Sequence, residues 1–517
     1  MGTSNAISGN QVEEGRAHQL LPENSHAVWD RAQYAVYTLA LAVSISLWLV
    51  AIRAPLWLDE TSSFWQISAG VRQIFSRRGQ VSAAYPYILW LTTRITGTSE
   101  IALRIPSLLA MLAAAYLLFR AARELFDRDV ALIAVIFFCA HPIVVFTSID
   151  ARPYALGALA ITAAIFMLVR LRHSDSNWLA AGFGIAAGAS THFQLLFGSV
   201  LVVLAVCFLA AKAGDVKTLL RQTGIAFGAF VLVFLPIIPD VLQLFRYRQT
   251  YVFERTTPSI VELGSTLAPV WSVFIFTGVV LIAVATKQFD WRNWPDGWRF
   301  VLCASLGLVP ILILYGVSAL TPTNIFVARY RLVAIPGIAL WWGWLLSRID
   351  SRLLRVLFCV AIVTTAAYRK LRSEDSNEHA YTWKYALELA QENASPDNAT
   401  VLICSDFPSS DYFPIPVGAA VKDSSFFTQL SYYKLSVPVV GLPRALNDPA
   451  RQIGSAFVRQ AGLRRERFLA LAYRPSLETL RWLREIASPT YEAIILGQPD
   501  GILVLEFRPP TSQPEPR

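Results

Sequence analysis

Five short stretches of this sequence carry side chains able to do chemistry. "WLDE" sets Asp59 and Glu60 side by side, just past an uncharged run that ends at residue 52. "FTSIDARPYAL" carries Asp150, Arg152 and Tyr154, and "STHFQ" carries Thr191, His192 and Gln194. "DVLQLFRYRQTYVFER" adds Arg246, Arg248 and Arg255, and "TPTNIFVARYRLVAIP" adds Asn324, Arg329, Tyr330 and Arg331. A guanidinium stays charged and grips phosphate oxygens two at a time. A carboxylate beside it can take the proton of an attacking hydroxyl. Together they suit group transfer from a lipid phosphate: arginines hold the phosphate as leaving group, and a nearby carboxylate serves as general base. Trp57, Phe64 and Trp65 would seat the loop at the membrane surface and line a sugar or lipid site.

Each element also has a plainer role. Aromatics after a span are commonly interfacial anchors. Asp150 and Arg152 can be a local helix-end pair, and His192 a satisfied polar residue at a hinge. Arg329 and Arg331 can be charges that set topology. The adjacent acids Asp59 and Glu60 are hardest to place this way, because ionisable groups near bilayer depth are costly and nothing local requires two.

The elements that must position these groups are membrane spans. Of 517 residues 55% are hydrophobic and 16% charged, with a mean hydropathy of +0.46. That is too apolar for a soluble chain of this length. The net charge of +9 is scattered between apolar runs, which fits basic cytoplasmic loops and not a nucleic-acid surface. The five cysteines form no disulfide or zinc pattern. Uncharged runs at 34–52, 130–149, 153–169, 222–239, 263–286 and 300–328 each reach span length. The run 176–211 holds two spans hinged at "STHFQ". Runs 105–119 and 332–347 are shorter, with arginines at their ends placed to snorkel, and run 356–368 is the weakest of the set.

The segment 83–97 decides the topology. If it lies in the interface, the basic stretches 120–128, 170–172, 212–221, 287–299 and 348–355 all fall on one side, as cytoplasmic loops should. The expectation is therefore an α-helical polytopic protein with eleven spans, N-terminus in and C-terminus out. Residues 1–32 form a disordered cytoplasmic tail, and 33–370 form the membrane domain with an outer loop at 54–100. From about residue 371 helix-like and strand-like patterns mix, giving a small extracytoplasmic α/β domain over 371–508 and a Pro-rich tail at 509–517. All five chemically able stretches then face outward.

"WLDE" after the first span, "ALRIPSLLA" opening the second, "SIDARPYAL" after the third and the late "VARYRLVAIPG" resemble the GT-C glycosyltransferases, over about residues 30–370. The likeness is to the bacterial protein O-mannosyltransferase-like and aminoarabinose-transferase-like branch. The resemblance implies an inverting transfer of a sugar from a polyprenyl-phosphate donor to an extracytoplasmic acceptor, in the bacterial inner membrane. It makes Asp59 the catalytic base, with Glu60 beside it and Asp150 assisting. Arg329 would bind the donor phosphate, with Arg246 and Arg248 behind it. Arg152, Tyr154, His192 and Tyr330 complete the substrate-binding set. No cofactor is implied, although a divalent cation is compatible with the family. In the resemblance there is one departure: many relatives have His-Pro-Pro or Lys-Pro where this chain has Tyr85-Pro86-Tyr87. A flippase or transporter of lipid-linked sugar is the competing reading. Repeats and mid-membrane polar groups would favour it, whereas here the charges gather at one face.

Overall fold

A computed structural model of the chain describes residues 23–77, 82–211, 215–246, 257–267, 269–290, 297–321, 323–372, 382–394 and 399–510. Helix α1 runs Glu23–Leu49, so helix begins inside the stretch expected to be a tail. The first loop then folds into α2 (Leu58–Ser68), α3 (Ile74–Arg77) and α4 (Ala84–Thr96). Next come α5 (Glu100–Leu125), α6 (Arg128–Ala140), α7 (Pro142–Thr147) and α8 (Tyr154–Leu171). Further apolar helices continue to Arg352–Leu371.

By length and composition, five described helices can cross a bilayer: Arg31–Leu49, Glu100–Leu125, Tyr154–Leu171, Val216–Leu244 and Gly297–Leu320. Ile260–Leu267 with Trp271–Ala285, bent by 58°, makes a sixth. The expected eleven is not reproduced on this criterion, because several apolar runs break into pieces. The run 130–149 divides at His141, which is extended and caps α7 at Pro142. That leaves α6 with 13 residues, about 20 Å of helix against a hydrocarbon core of about 30 Å.

One apolar core joins α1, α5, α6 and α8 to the later helices. Close crossings are made by small residues, as helix packing in lipid requires. A Cβ on Gly337 would collide with the backbone of Leu306 and Gly307, so helices Gly297–Leu320 and Ile335–Ser347 meet backbone to backbone there.

The C-terminal region is a five-stranded mixed sheet in the order β2-β1-β3-β5-β4. Its strands are β1 (Ala399–Cys404), β2 (Val439–Leu442), β3 (Arg467–Ala472), β4 (Glu492–Gly497) and β5 (Leu503–Arg508). The first three pair in parallel and β5 is antiparallel to both its neighbours. Alternation along β1 sends Val401 and Ile403 into one core and Leu402 and Cys404 into another, so helices cover both faces.

This domain docks on the first loop. Thr382 pairs with Trp57 in an antiparallel bridge. Tyr432 and Tyr433 pack against a small core that Leu56, Ile67, Ile74, Tyr85 and Leu89 of the loop make with Leu103 of α5 and Ala151.

Candidate active site

The first turn of α2 organises the site. Trp57 is extended and starts the helix, and the Glu60 carboxylate accepts the Trp57 N–H at 3.3 Å. Acids at positions 59 and 60 suit the positive end of a helix. Their two side chains then part company.

Glu60 is fully buried. Arg104 of α5, equally buried, donates to its two oxygens at 2.8 and 2.6 Å, and the Ala151 N–H adds a third bond at 2.9 Å. The same guanidinium donates to the carbonyl oxygens of Ala51, Ile52, Ala54 and Pro55 at 2.6–3.2 Å. Arg104 thus ties the end of the first helix, the start of α2 and the loop before α8 into one knot. Such a fork-to-fork pair is the arrangement that satisfies two buried charges.

Asp59 stays at the surface of this knot. Its Oδ2 lies 3.3 Å from Nη1 of Arg329, with both side chains about a quarter exposed, at 22% and 24%. Its carbonyl oxygen accepts from Arg152 Nη1 at 3.1 Å, and the same nitrogen reaches Ser63 Oγ at 3.4 Å. Arg329 lies against the Trp57 and Tyr330 rings, at 6.0 and 5.5 Å from their centroids. Tyr330 meets Tyr154 edge to face at 6.2 Å, and Arg152 lies 5.9 Å from the Tyr154 ring.

Asp150 is fully buried in the loop before α8. The Trp57 indole N–H donates to its Oδ1 at 3.1 Å. Burial pushes its carboxyl well above the usual carboxylate range and nearby Glu60 adds to this, while Arg152 and the indole bond pull the other way. Its Oδ2 has no hydrogen-bond partner among the described residues, and neither do Nε of Arg152 and Nε of Arg329. Buried polar atoms normally find partners, and these three belong to the Asp59–Arg329 pair and the residues beside it. Among the described residues no group of three or more His, Cys, Asp or Glu side chains could hold a metal ion.

Of the residues read from sequence, Asp59, Glu60, Asp150, Arg152, Tyr154, Arg329 and Tyr330 come together here. His192 does not join them through any described contact. Its Nδ1 meets Ser82 Oγ at 2.8 Å and its Nε2 meets the Val233 carbonyl, so it ties two helices to the first loop. Arg246 is exposed at the end of helix Ile238–Arg246, and no described contact links it to Asp59. Arg248 lies outside the described residues. Sequence reasoning missed Arg104, treating it as a snorkelling end of the run at 105, and missed the indole of Trp57 as a ligand of Asp150. A signal for Arg104 was present: the charge sits in "ALRIPSLLA", three uncharged residues after Glu100 and at the head of an apolar run, and a charge within a span normally has a partner.

A bundle of apolar membrane helices, a first loop carrying buried and surface acids, and a small C-terminal sheet domain docked on that loop define an integral membrane protein with the GT-C fold. A profile of the dolichyl-phosphate-mannose-protein mannosyltransferase family matches residues 80–242. The crystal structure of ArnT from Cupriavidus metallidurans bound to undecaprenyl phosphate superposes with a TM-score of 0.58 at 11% identity, covering 91% of this chain and 97% of that one. The same protein in the apo state gives 0.58 at 13% identity, covering 92% and 98%. No protein of curated function matches the sequence.

Proposed function

We propose that the protein is an inverting glycosyltransferase that moves a sugar from a polyprenyl-phosphate carrier to an acceptor on the extracytoplasmic side of a bacterial inner membrane. The observation that carries this reading is the Asp59–Arg329 pair, set among the unmet polar atoms of Asp150, Arg152 and Arg329. The mannosyltransferase-family match over 80–242 and the fold shared with a protein that binds undecaprenyl phosphate support it.

In this reading Asp59 takes the proton of an acceptor hydroxyl. The acceptor oxygen forms its bond to the anomeric carbon as the carbon–oxygen bond to phosphate breaks on the opposite face. The electron pair leaves with the polyprenyl phosphate, whose charge Arg329 and Arg152 meet. Asp150 and Glu60 hold the loop. Tyr154 and Tyr330 wall the donor, and the chain crosses the membrane eleven times with its N-terminus inside. A site partly shut off from water strengthens each of these charge contacts.

Titrating purified protein with undecaprenyl phosphate tests the phosphate assignment. Arg329→Ala should weaken binding about tenfold or more, and Arg329→Lys should restore only part, because an ammonium lacks the planar fork. Equal affinity in wild type and Arg329→Ala would remove Arg329 from the site.

A further inference from the structure

The C-terminal domain has no part in the chemistry just described, yet beside the Tyr432 hydroxyl on the Thr98 carbonyl and the Lys384–Glu100 pair it makes a series of contacts along one short stretch. The Leu56 N–H donates to the Tyr433 hydroxyl at 2.7 Å. Trp57 forms the backbone bridge with Thr382. Leu58 packs against the core of the C-terminal domain that includes Trp383 and Phe427. The Thr61 hydroxyl lies 2.9 Å from that of Thr428, with both residues buried. Because Thr61 already donates to the Leu58 carbonyl at 2.7 Å, Thr428 must be the donor between them. Further along α2, the Trp65 indole donates to the Asp423 carbonyl at 2.9 Å, and Phe64 meets Tyr432 edge to face at 4.9 Å.

The residues between these contacts face the other way. Asp59 pairs with Arg329 and Glu60 with Arg104, while Ser63 meets Arg152. Helix α2 is therefore a plate clamped between two bodies. Positions 58, 61 and 65 lie on one side of it, and positions 59, 60 and 63 on the side toward the membrane helices. At about 100° of rotation per residue, residues 58, 61 and 65 share a stripe. The stripe follows from helical geometry, and it places Asp59 one residue from the C-terminal core.

We infer that the C-terminal domain is the second half of the device that positions Asp59, with Tyr433 and Thr428 as positioning residues acting through Leu56 and Thr61. This rests on the reading of Asp59 as the base. A carboxylate on a short helix outside the long spans keeps its place only if both faces of that helix are held. The membrane helices hold one face through Arg104. The Tyr433 hydroxyl, the Thr382 bridge and the Thr428 hydroxyl hold the other. A base displaced by about 1 Å loses on the order of a hundredfold in rate, even when the perturbation lies away from the reacting atoms.

The test uses the full chain in detergent or nanodiscs. Tyr433→Phe keeps the ring and removes only the acceptor of the buried Leu56 N–H. Thr428→Val keeps the shape and removes the donor, whereas Thr428→Ser retains it. Transfer from a polyprenyl-phosphate sugar and hydrogen exchange of 54–68 are measured on each. Tyr433→Phe should lower kcat about 10- to 100-fold with the donor KM unchanged, and should speed exchange in 54–68 while helices α5 and α8 keep their protection. Thr428→Val should move the same quantities in the same direction, and Thr428→Ser should return them toward wild type. Wild-type kcat in both Tyr433→Phe and Thr428→Val overturns the inference, as does a fall in Thr428→Ser equal to that in Thr428→Val. If the wild-type chain transfers no sugar, the enzymatic reading fails by itself. The clamp is then judged by exchange alone, and unchanged protection of 54–68 in Tyr433→Phe refutes it.

Discussion

Replacing Arg104 by methionine should be among the most damaging single changes in this protein, and its cost can be worked from the knot it ties. The substitution fills much of the same volume and removes six hydrogen bonds, two to Glu60 and four to backbone carbonyl oxygens. It leaves the Glu60 carboxylate wholly buried, held only by the N–H groups of Ala151 and Trp57. Breaking one side of a buried ion pair typically costs about 3–5 kcal/mol, mostly the penalty of the stranded charge. Glu60→Gln in the same chain removes that charge and keeps an acceptor for the Ala151 N–H. The double variant should therefore be less destabilised than the sum of the singles, by about 2 kcal/mol. The assay is a double-mutant cycle of unfolding free energies, from denaturant titration of the solubilised protein followed by tryptophan fluorescence. Additive costs, within about 0.5 kcal/mol, would mean that Glu60 and Arg104 do not act as a pair and that the loop is held by other contacts.

Asp406 gives a pH signature in the C-terminal domain. It follows β1 and accepts the Trp383 indole N–H at 2.8 Å, and burial pushes its carboxyl up to about 7, against the opposing pull of that bond and of Arg444. A raised native value means that the folded domain holds a proton the unfolded chain has lost. The stabilising contribution is whole below about pH 4 and fades as pH rises through about 7, with a slope of at most about 1.4 kcal/mol per pH unit. Asp406→Asn should flatten thermal stability across that window, and an unchanged slope in the variant would place the proton elsewhere.

Much of the site was legible because its residues are expensive where they stand. Asp59, Asp150, Arg152 and Arg329 are charges in a chain with few of them, and each lies at the end of an apolar run. Their gathering was readable from span parity and loop charge alone. The division of labour within "DE" was not, because it depends on which face of α2 meets α5, and Arg104 sits close enough to the end of a run to pass for a snorkelling charge. His192 misled for the opposite reason. A polar residue at a hinge can bind a ligand or tie helices together, and its contacts with Ser82 and Val233 are of the second kind. In the C-terminal region strands β1, β3, β4 and β5 and the helix Lys384–Asn393 match the pattern of the sequence. Strand β2 is the least legible of the five, because it is only four residues long and follows a proline. Span count was the least legible quantity. Composition measures an apolar run, while breaks such as His141–Pro142 decide how that run is divided into helices.

The central claim is that Asp59 removes a proton during sugar transfer from a polyprenyl phosphate, on the face that carries the C-terminal domain. The most direct test presents a panel of radiolabelled undecaprenyl-phosphate sugars to sealed membrane vesicles whose C-terminal domain faces outward, with native acceptors present. Wild-type vesicles should pass label from carrier to acceptor without permeabilisation. Asp59→Asn should reduce that rate by about 10²- to 10⁴-fold, the usual worth of a positioned base, while still binding undecaprenyl phosphate. Transfer by Asp59→Asn at the wild-type rate would contradict the account, and so would wild-type vesicles that leave every carrier in the panel intact.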